Sequence, residues 1–205
     1  DDGLAALLKK RLVSFNNVTI INADVLKTEP KDIVKGQGYK VVANLPYYIT
    51  SPVLRHFLEA SVKPQTMVVM VQKEVAEAIA AKPGDMSLLS VSVQFYGSPE
   101  IISTVPPESF YPAPEVSSAI VKIAVYPQPA VDVDEKGFFD TVRAGFAAPR
   151  KQLANSLAKG LGKGKAEVLP FLQKAGIDPQ RRAETLTIEE WAGLHRFLEE
   201  KNADG

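Results

Sequence analysis

Asn44-Leu45-Pro46-Tyr47 follows directly on an apolar run that ends at Ala43, and its residue types suit one chemical problem. An exocyclic amine on adenine is a poor nucleophile because its lone pair is delocalised into the ring. Two acceptors aimed at its N–H groups favour the pyramidal nitrogen that can attack. The side-chain oxygen of Asn44 and the backbone carbonyl of Leu45 are such acceptors, and Pro46 fixes the turn between them and an aromatic ring. Tyr47 can stack on a base that has left its helix, a contact worth roughly 1–3 kcal/mol. Against a sulfonium methyl donor no strong base, metal or nucleophilic side chain is required, and catalysis rests on positioning and on the two acceptors. The plain alternative for the same tetrapeptide is a loop turn capped by asparagine.

Composition agrees with chemistry of that kind. The chain has no cysteine, which excludes thiol nucleophiles, zinc thiolates and disulfides, and its only histidines are His56 and His195. Apolar residues make up 45% and charged residues 23% of the 205, ordinary globular usage with room for one full domain and a small appendage. No window approaches the apolar length of a membrane span. A cytoplasmic protein is the simplest expectation.

The elements that must position the motif can be read from periodicity. Asp2 to Val13 carries Leu4, Leu7, Leu8 and Leu12 at helical spacing, with acids first and Lys9, Lys10 and Arg11 last. Val18 to Ile21 and Tyr39 to Ala43 read as β-branched strands, the second introduced by the turn-prone Gly36-Gln37-Gly38. A helix is expected from Pro52 to Ala60, a strand covered on both faces at Met67 to Val71, and helices at Lys73 to Ala81 and Met86 to Phe95. Ile101 to Val105 and Ala119 to Val125, joined by the Pro-rich link Pro106 to Pro114, suggest an antiparallel pair at a sheet edge. The fold class is therefore α/β, a sheet with helices on both faces, and ligands of such sheets bind beyond the carboxyl ends of strands, where Asn44 lies.

After the Pro129 linker every periodic segment is helical: Phe138 to Phe146, Gln152 to Leu161, Ala166 to Ala175 and Ile188 to Glu200. The division expected is a domain over 1–129 and a small all-α domain over 130–205. Net charge is zero, but Arg143 to Arg182 holds nine Lys or Arg against two acids, net +7. Alone, that reads more readily as a solvated helical surface than as a nucleic-acid face.

Several segments together carry a resemblance. Val42 to Leu58, VANLPYYITSPVLRHFL, resembles the catalytic motif and following helix of the small-subunit ribosomal RNA adenine N6,N6-dimethyltransferases, with Leu45 more like these than like DNA adenine methylases. Phe110-Tyr-Pro-Ala-Pro-Glu-Val-Ser-Ser118 resembles the family's Phe-x-Pro-x-Pro-Lys-Val-x-Ser loop, with Glu115 in place of the usual Lys. Asn22-Ala-Asp24-Val25 resembles the donor-adenine site, and Arg143-Ala-Gly-Phe, Arg150-Lys151-Gln-Leu and Gly176 to Leu186 resemble its helical RNA-binding domain.

The resemblance implies a Rossmann-like methyltransferase sheet, S-adenosylmethionine as methyl donor and no metal. It implies catalytic roles for Asn44, Leu45, Pro46, Tyr47 and Phe110, with Phe110 against the other face of the flipped base. Donor contacts fall to Asp24, Val25 and Asn44, and RNA contacts to Arg143, Arg150, Lys151, Lys159, Arg181 and Arg182. The partner implied is small-subunit rRNA in an immature subunit; a non-catalytic RNA-binding or ribosome-assembly module on the same fold is the alternative. The family's Gly-rich loop and ribose-binding acid are not found in this sequence. The chain is therefore expected to be an N-terminally truncated fragment that binds donor weakly and methylates little. Its Val18 strand would either slide in beside Tyr39 to Ala43 or be completed by self-association.

Overall fold

The computed structural model describes residues 1–34 and 38–203, with side chains to residue 199. Gly36 and Gln37 of the expected turn lie outside the described residues.

Helix α1 (Asp2–Arg11) starts where the Asp1 carboxylate accepts the Leu4 N–H at 2.9 Å, and Lys9, Lys10 and Arg11 close it. Its leucine stripe is not buried: Leu4 and Leu7 remain 54% and 44% exposed. Val18 to Ile21 forms no strand, which corrects the expectation. β-branched residues favour an extended backbone but need a ladder to hold it. Here Val18 donates to Phe15 O in a local turn, and the Asn22 side chain donates to Asp2 at 2.6 Å. These contacts hold the segment to α1 rather than beside the sheet.

A short helix α2 (Pro30–Ile33) leads to strand β1 (Lys40–Asn44). Helix α3 (Thr50–Leu58) comes next, two residues ahead of the expected start at Pro52. Then come β2 (Thr66–Gln72), α4 (Lys73–Ile79), α5 (Leu88–Gln94), β3 (Gly97–Val105) and β4 (Ser118–Val125). The sheet order is β1-β2-β4-β3: β1 runs parallel to β2, and β4 is antiparallel to both β2 and β3. The antiparallel edge pair expected from the sequence is present. No described strand pairs with the outer edge of β1, where Val42 is 79% exposed. In β2, Met67, Val69 and Val71 are fully buried while Val68 and Met70 are only half-buried, so one face is covered more completely than the other. Ser87 and Ser90 start α5 with a reciprocal capping box, which settles a segment whose serines and valines made it the weakest helix in the sequence.

The C-terminal helices are α6 (Glu135–Gly145), α7 (Leu153–Leu161), α8 (Lys165–Lys174) and α9 (Ile188–Ala203). Asp134 caps α6, and Gly162, at φ +64°, ends α7 in a left-handed conformation that suits glycine. These helices bury Phe138, Leu153, Leu157, Leu172 and Trp191 completely or nearly so. They join the sheet through aromatic rings: Phe95 stacks on Phe138 at 4.8 Å, and the Tyr96 hydroxyl donates to Glu135 at 2.7 Å. The apolar cores on the two sides of Pro129 are thereby one cluster.

Candidate active site

The position of Asn44 follows from strand pairing. It is the last residue of β1, registered against Met70 of β2. One residue on, the Leu45 N–H still donates to Met70 O at 3.2 Å, and its side chain is buried at 6% exposure. Pro46, at φ −58° and ψ 131°, then turns the chain, and the Ile49 N–H closes a 3-10 turn onto Pro46 O at 3.1 Å. Leu45 thus anchors the motif in the core while Asn44 stays exposed. Neither the Asn44 side-chain amide nor the Leu45 carbonyl oxygen is hydrogen-bonded to another described residue.

Opposite stands the Pro106–Pro114 link, containing a 3-10 turn at Pro107–Ser109 and a cis Tyr111–Pro112 bond. The two segments enclose an open cleft of about 320 Å³ lined by Asn44, Leu45, Pro46, Tyr47, Phe110 and Tyr111, with Pro112 and Pro114 at its side. That is the low end of the roughly 300–1,000 Å³ of small-molecule sites. Larger hollows elsewhere on the surface are lined by none of these residues.

Two bonds fix the start of β4, the strand that follows the second wall. The Tyr47 hydroxyl and Ser118 Oγ are 2.7 Å apart, and the Lys73 N–H donates to Ser117 O at 3.0 Å. Ser118 and Tyr111 are the residues that sequence reasoning passed over. Ser118 is fully buried at the start of β4, whereas Tyr111 is wholly exposed at the cleft mouth. The aromatic pair Phe110-Tyr111 in a Pro-rich link was a usable signal for the second, and the closing Ser of the Phe-x-Pro-x-Pro-Lys-Val-x-Ser resemblance was one for the first.

Asp24 and Val25 do not line this cleft. No strand precedes them, and Asp24 caps a 3-10 turn (Val25–Lys27), accepting the Leu26 N–H at 3.0 Å. That turn is tied to α3 by the His56 ring nitrogen, 3.0 Å from Thr28 O. Asp24 keeps its second oxygen clear of the cap, 4.0 Å from Lys27 Nζ, and the Val25 N–H meets no described acceptor. Both groups therefore have capacity for the amino group and a ring nitrogen of an adenine, so the residues present fit that part of a donor.

The basic residues divide by how they are paired. Arg150, Lys151 and Lys159 are exposed and form no ion pair among the described residues. Arg143 binds Asp140 one turn back, and Arg182 lies 3.6 Å from Glu184. Arg181 is committed to the fold: it forks onto Glu190 at 2.5 and 3.0 Å and donates to Thr185 O at 2.6 Å. The guanidinium holds the Glu190 carboxyl below the usual carboxylate range, aided by the Thr187 N–H.

The mixed sheet with a base-sized cleft at its strand ends, continued by a helical C-terminal part, defines a Rossmann-like α/β protein of the rRNA methyltransferase kind. The family model for ribosomal RNA adenine dimethylase matches residues 1–200. A ribosomal RNA small subunit methyltransferase A of Dehalococcoides mccartyi is 56% identical over 197 residues, covering 95% of this chain and 67% of that protein. Its namesake in Bacillus cytotoxicus is 44% identical over 209 residues, covering 97% and 72%. Among solved structures, the 23S rRNA methyltransferase ErmE superposes with a TM-score of 0.72 at 25% identity, covering 97% of this chain and 79% of that one. A dimethyladenosine transferase from Plasmodium falciparum shares the fold with a TM-score of 0.81 at 23% identity, covering 98% and 80%. The chain belongs to the ribosomal RNA adenine dimethylase family.

Proposed function

We propose that this chain carries the catalytic and RNA-binding residues of an enzyme that transfers methyl groups from S-adenosylmethionine to N6 of adenines in small-subunit rRNA. What carries the reading is one observation: two unpaired oxygen acceptors, on Asn44 and Leu45, stand at a cleft mouth beside the ring of Tyr47. A target adenine, unstacked from its helix, would enter between Tyr47 and Phe110. The Asn44 side-chain oxygen and the Leu45 carbonyl accept from its amino group and draw the nitrogen toward the pyramidal geometry in which its lone pair is free. Pro46 holds the spacing between these acceptors and the stacking ring.

Asp24 and Val25, with Asn44, would hold the donor, which supplies an electrophilic methyl group when bound. No side-chain base enters this scheme. The proton lost from nitrogen passes to water once the amine has become cationic. Residues 1–129 form the catalytic part and 130–205 the RNA-binding part. Within the latter, the unpaired cations Arg150, Lys151 and Lys159 are better placed to meet phosphates than Arg181, whose guanidinium is occupied. The partner is an immature small subunit, and the setting is the cytoplasm.

The test is labelled-methyl transfer to immature small subunits by the protein and its Asn44→Ala variant. Loss of one preorganised acceptor lowers turnover by about 10²–10³ with RNA affinity unchanged. Turnover that survives the substitution sinks the assignment.

A further inference from the structure

Away from the cleft, three chemistry-bearing side chains converge where the chain leaves the sheet and meets its last helix. Asp134 caps α6, while His195 and Glu199 stand one turn apart on α9. His195 is 2% exposed, yet its Nε2 has no hydrogen-bond partner among the described residues. The other ring nitrogen is engaged, with Nδ1 3.2 Å from Thr141 Oγ1. In the tautomer whose Nδ1–H donates to that hydroxyl, Nε2 presents a buried lone pair, and what it faces are carboxylates. Glu199 Oε2 is 3.4 Å away without forming a hydrogen bond, and ligand atoms of all three residues lie within 4.8 Å of one another. In that tautomer, a cation seated between the ring nitrogen and the two carboxylates satisfies all three groups at once.

We propose that Asp134, His195 and Glu199 form a binding site for a divalent transition-metal ion of the zinc type. In a tetrahedral site, with metal–nitrogen and metal–oxygen bonds of about 2.0–2.2 Å, neighbouring ligand atoms stand roughly 3.4 Å apart. The Nε2–Oε2 separation already has that length. A neutral imidazole and two carboxylates carry the charge that matches a dication, and water completes the shell. Thr141 supplies the outer hydrogen bond that fixes the tautomer and aims the ring.

Gly137 makes the corner possible: a Cβ there would stand 2.5 Å from His195 Cε1 and 2.8 Å from Asp134 Oδ2. Asp134 must close by roughly an ångström to complete the tetrahedral spacing. It is exposed, and one of its oxygens can keep the cap on the Gly137 N–H while the other binds. None of the three residues lines the cleft at Asn44, so the expectation that methyl transfer needs no metal is untouched. The ion would instead clamp the start of α6 to the middle of α9.

The probe is zinc chloride alone, titrated calorimetrically into the metal-stripped chain near neutral pH, with melting temperature recorded in parallel. One ion per chain should bind and raise the melting temperature. Glu199→Gln, at a half-exposed position, and Asp134→Asn, which can still cap α6, should each weaken binding by about tenfold or more without changing the metal-free fold. Cobalt in place of zinc should give the intense visible bands of a tetrahedral centre. Absence of saturable zinc binding below millimolar concentration overturns the proposal. So does binding that survives both substitutions, or binding that is lost equally in His56→Gln.

Discussion

The hydroxyls of Tyr47 and Ser118, 71 residues apart in the chain, are 2.7 Å from each other across the base of the cleft. One belongs to the turn after β1 and the other to the first residue of β4, so this bond sets how the stacking ring meets the opposite wall. Ser118 touches no substrate in the proposed scheme; it acts through Tyr47. Replacing it with alanine removes a hydrogen bond worth about 0.5–1.5 kcal/mol. Turnover should then fall about two- to tenfold in single-turnover methyl transfer, with RNA affinity unchanged. Ser118→Thr, which keeps the hydroxyl, should recover most of the rate. A packing role alone would move the melting temperature and leave the rate as it was.

Arg150 and Lys151 are exposed and unpaired between α6 and α7. Changing both to alanine should weaken binding to small-subunit RNA and flatten the logarithmic dependence of affinity on salt by about one unit for each phosphate that is no longer neutralised. Filter binding across a salt series measures it, and the rate on prebound substrate should hold.

Arg181 should behave in the opposite way. Its alanine variant breaks a forked ion pair whose two side chains are 30% and 31% exposed, and a part-buried hydrogen bond to Thr185 O. Urea unfolding should show a loss of about 1 kcal/mol. The salt dependence of RNA affinity should match that of the parent.

Acid should act through the same pair. The Glu190 carboxyl titrates lower in the folded chain than in the unfolded one because Arg181, and then the Thr187 N–H, favour its anion. That stabilisation is complete above the unfolded value of about 4.3 and is lost as pH falls through the lower folded value. The parent should therefore lose more stability between roughly pH 5 and pH 3 than Glu190→Gln does, by denaturant midpoints at each pH.

Much of the candidate site was legible because its parts are local. Asn44 to Tyr47 announce themselves by residue type and by following an apolar run, Phe110 by the loop motif that resembles the family's, and both fall in one cleft. What depends on distant partners was not legible. Val18 to Ile21 has strand composition, but composition cannot supply a neighbouring strand, and the residues settle against α1 instead. Arg181 counts as one of nine cations in a basic segment, and only the fold reveals that Glu190 has claimed it. In the sequence His195 is only one of two histidines; the unpartnered side of its ring, with Asp134 from 61 residues earlier nearby, appears only in the fold.

The burial of Leu45 between two residues that face solvent has a consequence for how this chain can vary. The carbonyl offered to substrate is rigidly attached to a side chain wedged among core residues and to an amide held by Met70. Any repacking beneath β2 therefore travels one bond length into the reaction geometry. Substitutions far from solvent should show up first as slow turnover in proteins that still fold, so that activity is a finer gauge of interior packing than melting temperature.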